Sequence, residues 1–217
     1  MGMYGYIFAD LTTHDFIISR EKSNVPTKLG PETSTRSVVA ASTSKSSDGK
    51  VTELVTKRET YTPILLARSS PLPSSFLSNR RRKFGVTPLL SCLRALWEYQ
   101  SLIPNSTFPS HSQADIALFT TLATEKHQEL QLPPETLRAE VLRSFLGNLA
   151  CEISPVCAFL GGQLAQDAIN VLGGKEQPIQ NLVVFDGEDS KGSIYPLHTE
   201  MQPVVDTCFY RGRRLHK

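Results

Sequence analysis

The segment Ser154–Gly187 constrains the fold of this chain more than any other part of its 217 residues. Its first part is apolar on nearly every side at helical spacing, which predicts a helix over Ser154–Leu172 that is buried all round. The helix has a suitable N-cap in its first residue, Pro155 in its first turn, and Gly173-Gly174 as an end signal. Leu182–Phe185 then forms an apolar run that predicts a strand buried on both faces.

Composition excludes several classes of protein. The chain is 40% hydrophobic and carries a formal net charge of +2, which argues against a general nucleic-acid binder with a basic face along its length. Its four cysteines form no CxxC pair, so a zinc site is not expected. We expect these cysteines to be buried, reduced thiols. The N-terminus has no signal-peptide pattern, and no run approaches the roughly 18 apolar residues that a membrane helix needs.

The N-terminal half predicts strands around a polar insertion. Tyr4–Leu11 and Asp15–Ser19 are strand candidates, and the first begins almost at Met1. Either the chain starts in the middle of a domain, or this is an ordinary N-terminal strand that pairs with later ones. Residues 21–50 are polar and are predicted to be a mobile insertion. Val51–Lys57 and Thr60–Leu66 then predict a hairpin around Arg58-Glu59.

Helical periodicity begins after Pro71. The pattern predicts helices over Ser74–Arg82, Pro88–Gln100, Ser112–Leu130 and Pro134–Leu149, before the apolar helix described above. Ser193–Leu197 predicts a last short strand. The chain therefore divides into a strand pair (1–20), a flexible polar insertion (21–50), strands with a helical region (51–150), a C-terminal buried helix with strands (151–200) and a flexible basic tail (201–217).

No catalytic, cofactor-binding or metal-ligating residue is expected in this chain. Neither glycine-rich phosphate motif occurs, so Gly161-Gly162 is interpreted as a helix-packing pair that admits another backbone closely. Cys151 and Cys157 are interpreted as structural core thiols, since no histidine or lysine nearby would lower a thiol pKa. Gln166 and Asp167 would be costly to bury alone, so they either cap a neighbouring segment or face a subunit boundary.

Two basic runs have a functional and a plain interpretation. Arg80, Arg81, Arg82 and Lys83 could form a nuclear import signal or contact an acidic partner, or they could be a solvated helix face. The tail carries a similar, weaker signal in Arg211, Arg213, Arg214 and Lys217.

The segment P-x-x-A-F-L-G-G-x-x-A-Q-D, with Pro155, Gly161, Gly162, Ala165, Gln166 and Asp167, resembles the non-catalytic adenylation half of ubiquitin-like activating enzymes. The later P-x-x-N-x-x-V-F-D-G and the opening YGYIFADLTTHDF are similar to the same half, most of all in SUMO-activating enzymes. The likeness covers about Gly2–Leu197. Asp167 is a mild departure, since this family commonly has Glu there.

The resemblance implies an α/β fold. It would be an incomplete ThiF-type, Rossmann-like adenylation domain with a mixed sheet, a helical insertion and a disordered polar loop. The implied partner is the catalytic large subunit of a SUMO-activating enzyme, with SUMO contacted indirectly and no nucleic acid or membrane. ATP and magnesium would bind in that partner, and the location would be the nucleus and also the cytoplasm. The six pattern residues are the implied interface or packing motif.

The resemblance also implies an upstream Rossmann-like portion, with a glycine-rich turn and an arginine lent to the partner's ATP site, which this sequence does not contain. A truncated gene model, a fragment and an alternative product all fit that difference. The leading hypothesis is thus a supporting subunit in SUMO activation. The alternatives are a non-enzymatic decoy that binds the catalytic subunit, the equivalent subunit for NEDD8 or ubiquitin, and a self-contained nucleotide enzyme, which the absent loop disfavours.

Overall fold

The computed structural model describes residues 1–21, 35–45, 51–104 and 107–198. The strands are β1 (Tyr4–Phe8), β2 (Thr13–Glu21), β3 (Arg36–Lys45), β4 (Val51–Thr60), β5 (Leu182–Asp186) and β6 (Lys191–Tyr195). The helices are α1 (Ile64–Ala67), α2 (Ser74–Leu77), α3 (Arg80–Phe84), α4 (Leu89–Leu102), α5 (Gln113–Glu129), α6 (Ala139–Asn148) and α7 (Ser154–Gly173), with a 3-10 turn at Pro134–Thr136.

The first sheet joins the two ends of the chain. Its strand order is β1-β5-β6, and both pairings are antiparallel, with Tyr4 opposite Asp186 and Asp186 opposite Lys191. β5 is the central strand, and its residues from Leu182 to Phe185 are all buried. The prediction of a strand covered on both faces is confirmed, because helices lie on either side of this sheet.

One face of this sheet carries the main core. Tyr4, Leu182, Val184 and Tyr195 are buried together with α4, α5 and α6. Helix α4 is buried along most of its length, including Trp97. Phe145 stacks on both Tyr4 and Phe119, with ring centroids 6.1 and 5.8 Å apart. The opposite face holds a smaller cluster beneath α7.

The second sheet is built from the polar part of the chain. Its order is β2-β4-β3, with both pairings antiparallel. Strand β3 lies inside the segment predicted to be a mobile insertion, so that prediction is wrong for Arg36–Lys45. Cross-strand pairing with β4 offsets the ordering entropy there, in place of the apolar alternation that the sequence lacks. The rest of the insertion, 22–34 and 46–50, lies outside the described residues.

Several element boundaries differ from the prediction. β4 runs without a turn through Arg58-Glu59, and Ile64–Ala67 is a helical turn, so the hairpin predicted there does not form. Ser74–Arg82 is divided into α2 and α3, because Asn79 caps a new helix by accepting from Arg82 N at 2.8 Å. The helix predicted from Pro134 begins only at Ala139, after the 3-10 turn.

The α/β class predicted from the resemblance is confirmed, with two small antiparallel sheets and seven α-helices among the described residues. In the described ranges, every helix is too short or too polar to cross a membrane.

Candidate functional site

Helix α7 covers the sheet with one stripe and exposes the rest. Among its 20 residues only Val156 and Asp167 are buried, whereas Phe159 is 50% exposed, Leu164 54%, Ile169 63% and Leu172 88%. The prediction that this helix is buried all round is therefore wrong for the described chain. A three-stranded sheet can cover only the stripe of a helix that faces it, so a helix apolar on every side keeps an uncovered face.

The covered stripe of α7 packs closely on β1 and β5. Leu160 contacts Ile7, Ile179 and Val183 in the smaller apolar cluster. A Cβ atom added to Gly5 would overlap Leu160 Cδ1, so glycine at this position of β1 allows the helix to approach. Phe159 reaches back from the helix to stack on Phe185, with ring centroids 4.5 Å apart.

Polar contacts fix both ends of the second half of α7. Asp167 is 6% exposed, and its Oδ1 accepts from the backbone N–H of Ile179 at 2.7 Å. At the C-terminus, Gly174 has a left-handed φ of 58°, and its carbonyl accepts from Ile17 N of β2 at 2.7 Å. The helix is therefore tied to both sheets while its outer face is exposed.

The residues of the resemblance motif fall on different sides of α7. Asp167 faces inward and caps the segment before β5, as one of the two sequence interpretations proposed. Gln166 is exposed and donates to Asn170 Oδ1 at 3.0 Å. Pro155 lies in the first turn, one residue after Ser154, but the N-cap is Ile153 rather than Ser154. Within the motif, Asp167 therefore holds α7 to the rest of the chain, and Gln166 belongs to the exposed side of the helix.

The outward part of the motif contains its small residues. Gly161, Gly162 and Ala165 are exposed, and a Cβ added to either glycine would meet no other group within 4 Å. In the described chain no second backbone approaches them, so the close approach predicted for this pair would have to come from another chain or segment.

The basic run Arg80–Lys83 forms most of the short helix α3. Its arginines are exposed and Lys83 is half-buried. Arg82 Nη1 donates to Ser75 O at 3.0 Å, and the Arg80 guanidinium lies 5.4 Å above the Phe84 ring. Among the described elements, α3 packs mainly on α2 and α7 mainly on β1, so the structure does not bring the two motifs together.

The cysteines divide into two environments. Cys92 is fully buried in α4, and burial raises the pKa of its thiol to about 12. Cys151 and Cys157 are exposed, so the prediction that both are core thiols is wrong. Cys151 precedes α7, and Cys157 lies in the first turn of that helix. Cys208 and the other tail residues lie outside the described ranges.

A cleft of about 950 Å³ was not predicted from the sequence. Tyr4 Oη at its base donates to Glu188 Oε1 at 2.7 Å and lies 2.7 Å from Ser144 Oγ. Glu188 Oε1 also accepts from Ser144 Oγ at 2.6 Å. The bonds from Ser144 and Tyr4 hold the pKa of Glu188 below its ordinary value, whereas desolvation raises the pKa of Asp186. Tyr4 and Glu188 are 184 positions apart, and only the β1–β5 pairing could have indicated their contact.

No three of the His, Cys, Asp and Glu side chains in the described residues are grouped as metal ligands, and the sequence contains neither glycine-rich phosphate motif.

Comparison with known proteins gives consistent matches. The DNA damage tolerance protein RHC31 of Saccharomyces cerevisiae is 30% identical over 192 residues, which are 86% of this chain and 52% of that protein. SUMO-activating enzyme subunit 1 of Xenopus tropicalis is 26% identical over 199 residues, 89% of this chain and 53% of the relative. SUMO-activating enzyme subunit 1B-1 of Arabidopsis thaliana is 48% identical over 58 residues.

No family model matches the chain. The chain spans about half the length of the curated relatives that it matches along most of its own length. With the motif on α7, these relatives confirm the resemblance: the chain is a homologue of the SUMO-activating enzyme subunit 1 proteins.

Proposed function

We propose that this chain supports SUMO activation as a non-catalytic subunit, and that the exposed face of α7 docks on the catalytic large subunit. The observation that carries the proposal is the combination of a helix held firmly on one side with an uncovered apolar surface on the other. Exposed apolar patches of this kind mark interaction sites in soluble proteins.

The docking face consists of large apolar side chains around a flat centre. Phe159, Leu164, Ile169 and Leu172 supply the apolar groups, and Gly161, Gly162 and Ala165 supply the flat part. Small residues let a second backbone come close, while Leu and Ile fill pockets on the partner. Asp167 and Leu160 hold the helix in place from behind, so little ordering is needed on binding.

In this proposal the chemistry belongs to the partner. The catalytic subunit would bind ATP and magnesium, adenylate SUMO and form the thioester, and this chain would contact SUMO only through the complex. The nuclear and cytoplasmic location expected from the resemblance, with Arg80–Lys83 as the import signal, is part of the same proposal; the exposure of the three arginines supports it.

Co-purification with the large subunit tests the docking face. We expect the unmodified chain to form a complex and the variant Leu164→Asp/Ile169→Asp to bind about tenfold or more weakly, because buried charge is costly at an interface centre. Leu65→Asp, at a residue of α1 that is 73% exposed, is the matched control and should bind normally. Equal binding by all three chains would contradict the proposal.

A thioester assay separates support from decoy behaviour. The complex of this chain with the large subunit should form the SUMO thioester on the large subunit faster than the large subunit alone. A stable complex that forms no thioester would show that the chain is a decoy. A complex that prefers NEDD8 or ubiquitin would show that the modifier differs.

A further inference from the structure

Strand β1 has one open edge in the described sheet. The order is β1-β5-β6, so β1 pairs with β5 on one side and with no strand on the other. Just before β1, Met3 O accepts from Gly187 N at 2.7 Å. Just after it, Ala9 N donates to Asn181 O at 2.8 Å. Because hydrogen bonds alternate along an antiparallel strand, every second residue between Met3 and Ala9 also bonds to β5.

The remaining residues of β1 direct their backbone groups to the open edge. Tyr6 and Phe8 therefore have N–H and C=O groups that point away from β5. Among the described residues, neither of these N–H groups has a hydrogen-bond partner. The two residues lie two positions apart, which is the spacing at which a neighbouring strand bonds. The edge is thus a ready template for one more strand.

A groove lies between β1 and the first half of α7. Five of its lining residues come from Met1–Tyr6, and the other four are Ile153, Val156, Cys157 and Leu160. These four lie at helical spacing, so one stripe of α7 with its N-cap forms a single wall. No residue of β5 lines the groove, which places it on the open side of β1. We call it the β1 groove.

The size and lining of the β1 groove select its occupant. Its volume is about 220 Å³, below the roughly 300–1,000 Å³ of small-molecule pockets. None of the described residues that line it is charged, so a charged group inside would lose its hydration without gaining a partner. The groove therefore suits an uncharged side chain of a neighbouring strand.

The chain itself already uses one end of this edge. Gly2 forms a parallel bridge with Glu152, which leaves Tyr4–Phe8 for an added segment. Antiparallel pairing of two copies about Tyr6 would bring Asp10 of one copy opposite Gly2 of the other, where Glu152 already lies. A short segment of a different protein therefore fits this edge better than a second copy does.

We propose that the open edge of β1 binds a short extended segment of another protein as a fourth strand of this sheet. The backbone of the segment bonds to Tyr6 and Phe8, and an uncharged β-branched side chain enters the β1 groove. The large apolar and small residues of the docking face on α7 do not line this groove. The proposal is therefore independent of docking on the large subunit.

Fluorescence anisotropy with the full chain tests the proposal. The probe is a labelled short peptide that alternates Thr and Val. Two matched peptides carry N-methyl groups, one on every Val amide and the other on every Thr amide. Only alternate amides of an added strand face β1, so one methylated peptide should bind at least about tenfold more weakly and the other should bind like the probe.

Hydrogen exchange read by NMR locates the bound peptide. Binding should slow exchange of the Tyr6 and Phe8 amides at least about tenfold, because each gains a hydrogen bond. The Gly5 and Ile7 amides face β5 already and are internal controls that should change little.

Two cysteines provide a matched pair of variants. Cys157 and Cys151 are both exposed, but only Cys157 lines the β1 groove. Cys157→Asp should weaken peptide binding about tenfold, and Cys151→Asp should leave it unchanged. An acidic residue is well tolerated near a helix N-terminus, so both variants should fold. The docking-face variant Leu164→Asp/Ile169→Asp should also bind the peptide normally, which separates this test from the test of docking.

Three results would overturn the proposal. They are no binding of the probe up to about 1 mM, equal loss of binding in both methylated peptides, and unchanged exchange at Tyr6 and Phe8 in the bound state. If a second copy or another segment of this chain occupies the edge, these two amides are protected before peptide is added, which also rejects a separate partner.

Discussion

Asp167 of α7 accepts a hydrogen bond from the backbone N–H of Ile179 at 2.7 Å. This single contact joins the helix to the segment that enters β5, and both groups are buried. It also gives the acidic position of the family motif a role within this chain. The side chain that follows Gln166 satisfies a backbone donor that would otherwise be buried without a partner.

Replacement of Asp167 should therefore reduce stability in a graded way. We expect Asp167→Ala to lower the free energy of unfolding by about 1–3 kcal/mol, since Ile179 N–H then stays buried and unpaired. Asp167→Asn keeps an acceptor oxygen and should cost less. Urea denaturation measures both. The neighbouring exposed change Gln166→Ala is the control, and a loss as large at Gln166 as at Asp167 would show that the anchor is unimportant.

The sequence predicted elements better than their surroundings. The bounds of α7 were predicted to within about a residue, because proline and the glycine pair mark its ends. The exposure of α7 was not predicted, because a helix that is apolar on every side does not indicate which group covers each side. β5 was predicted with its burial, since an apolar run in a central strand admits only one environment.

Long-range polar contacts could not be predicted from the sequence. β3 has few apolar residues, and its alignment with β4 includes an ion pair of Arg36 with Glu59 that no local pattern indicates. The contact of Tyr4 with Glu188 depends on the pairing of the two ends of the chain. The sequence singled out the motif residues of α7 as candidates, but which of them face inward and which outward depends on the sheet that α7 packs against.

Two glycines should respond to alanine in opposite directions. Gly5→Ala should lower the free energy of unfolding by about 1–3 kcal/mol, because the new methyl group displaces Leu160 from its packed position. Gly161→Ala should raise it by about 1 kcal/mol, since alanine favours the helix and meets nothing within 4 Å. Thermal and urea unfolding measure both changes. Destabilisation by Gly161→Ala would show that this surface is already covered in the isolated chain.

Two arginine–carboxylate pairs in the described part of the second sheet should differ strongly. Glu59 is fully buried and is held by Arg36, whereas Asp15 and Arg58 are both largely exposed. Arg36→Ala leaves a buried carboxylate without its cation and should cost about 3 kcal/mol of unfolding free energy. Arg58→Ala should cost at most about 1 kcal/mol.

A second variant distinguishes lost charge pairing from lost packing at Arg36. The double variant Arg36→Ala/Glu59→Gln removes the unpaired charge and should recover part of the stability that Arg36→Ala loses. If the double variant loses as much unfolding free energy as Arg36→Ala and Glu59→Gln lose together, the loss at Arg36 comes from packing on Phe16. The ring of Phe16 lies 5.9 Å from the Arg36 guanidinium carbon.

Cys92 should react with alkylating reagents far more slowly than Cys151 and Cys157. Burial raises the pKa of Cys92 to about 12, so very little thiolate forms at neutral pH. The other two thiols are exposed. Iodoacetamide labelling of the native chain, followed by peptide mass spectrometry, measures each rate. Equal rates in the native chain would contradict the burial, and equal rates in urea are expected because unfolding removes the difference.

Glu188 should make the chain less stable in acid. Hydrogen bonds from Ser144 and Tyr4 lower the pKa of Glu188 in the folded state below its ordinary value of 4.5. Its contribution to stability is therefore fully present above pH 4.5 and is lost as the pH falls through the lowered folded pKa. Asp186 acts in the opposite sense, because desolvation raises its folded pKa above 3.8 and its protonated form is favoured by folding.

NMR titration of the Glu188 carboxyl group measures this effect directly. In Tyr4→Phe and Ser144→Ala the pKa of Glu188 should rise toward 4.5, because each change removes a donor hydroxyl at 2.7 or 2.6 Å. Glu188→Gln should abolish the part of the acid-induced loss of unfolding free energy that belongs to this group. The change Glu140→Gln, at an exposed residue of the same cleft, is the matched control and should leave the Glu188 titration unchanged. An unaltered Glu188 pKa in both hydroxyl variants would show that the network at Tyr4 does not form in solution.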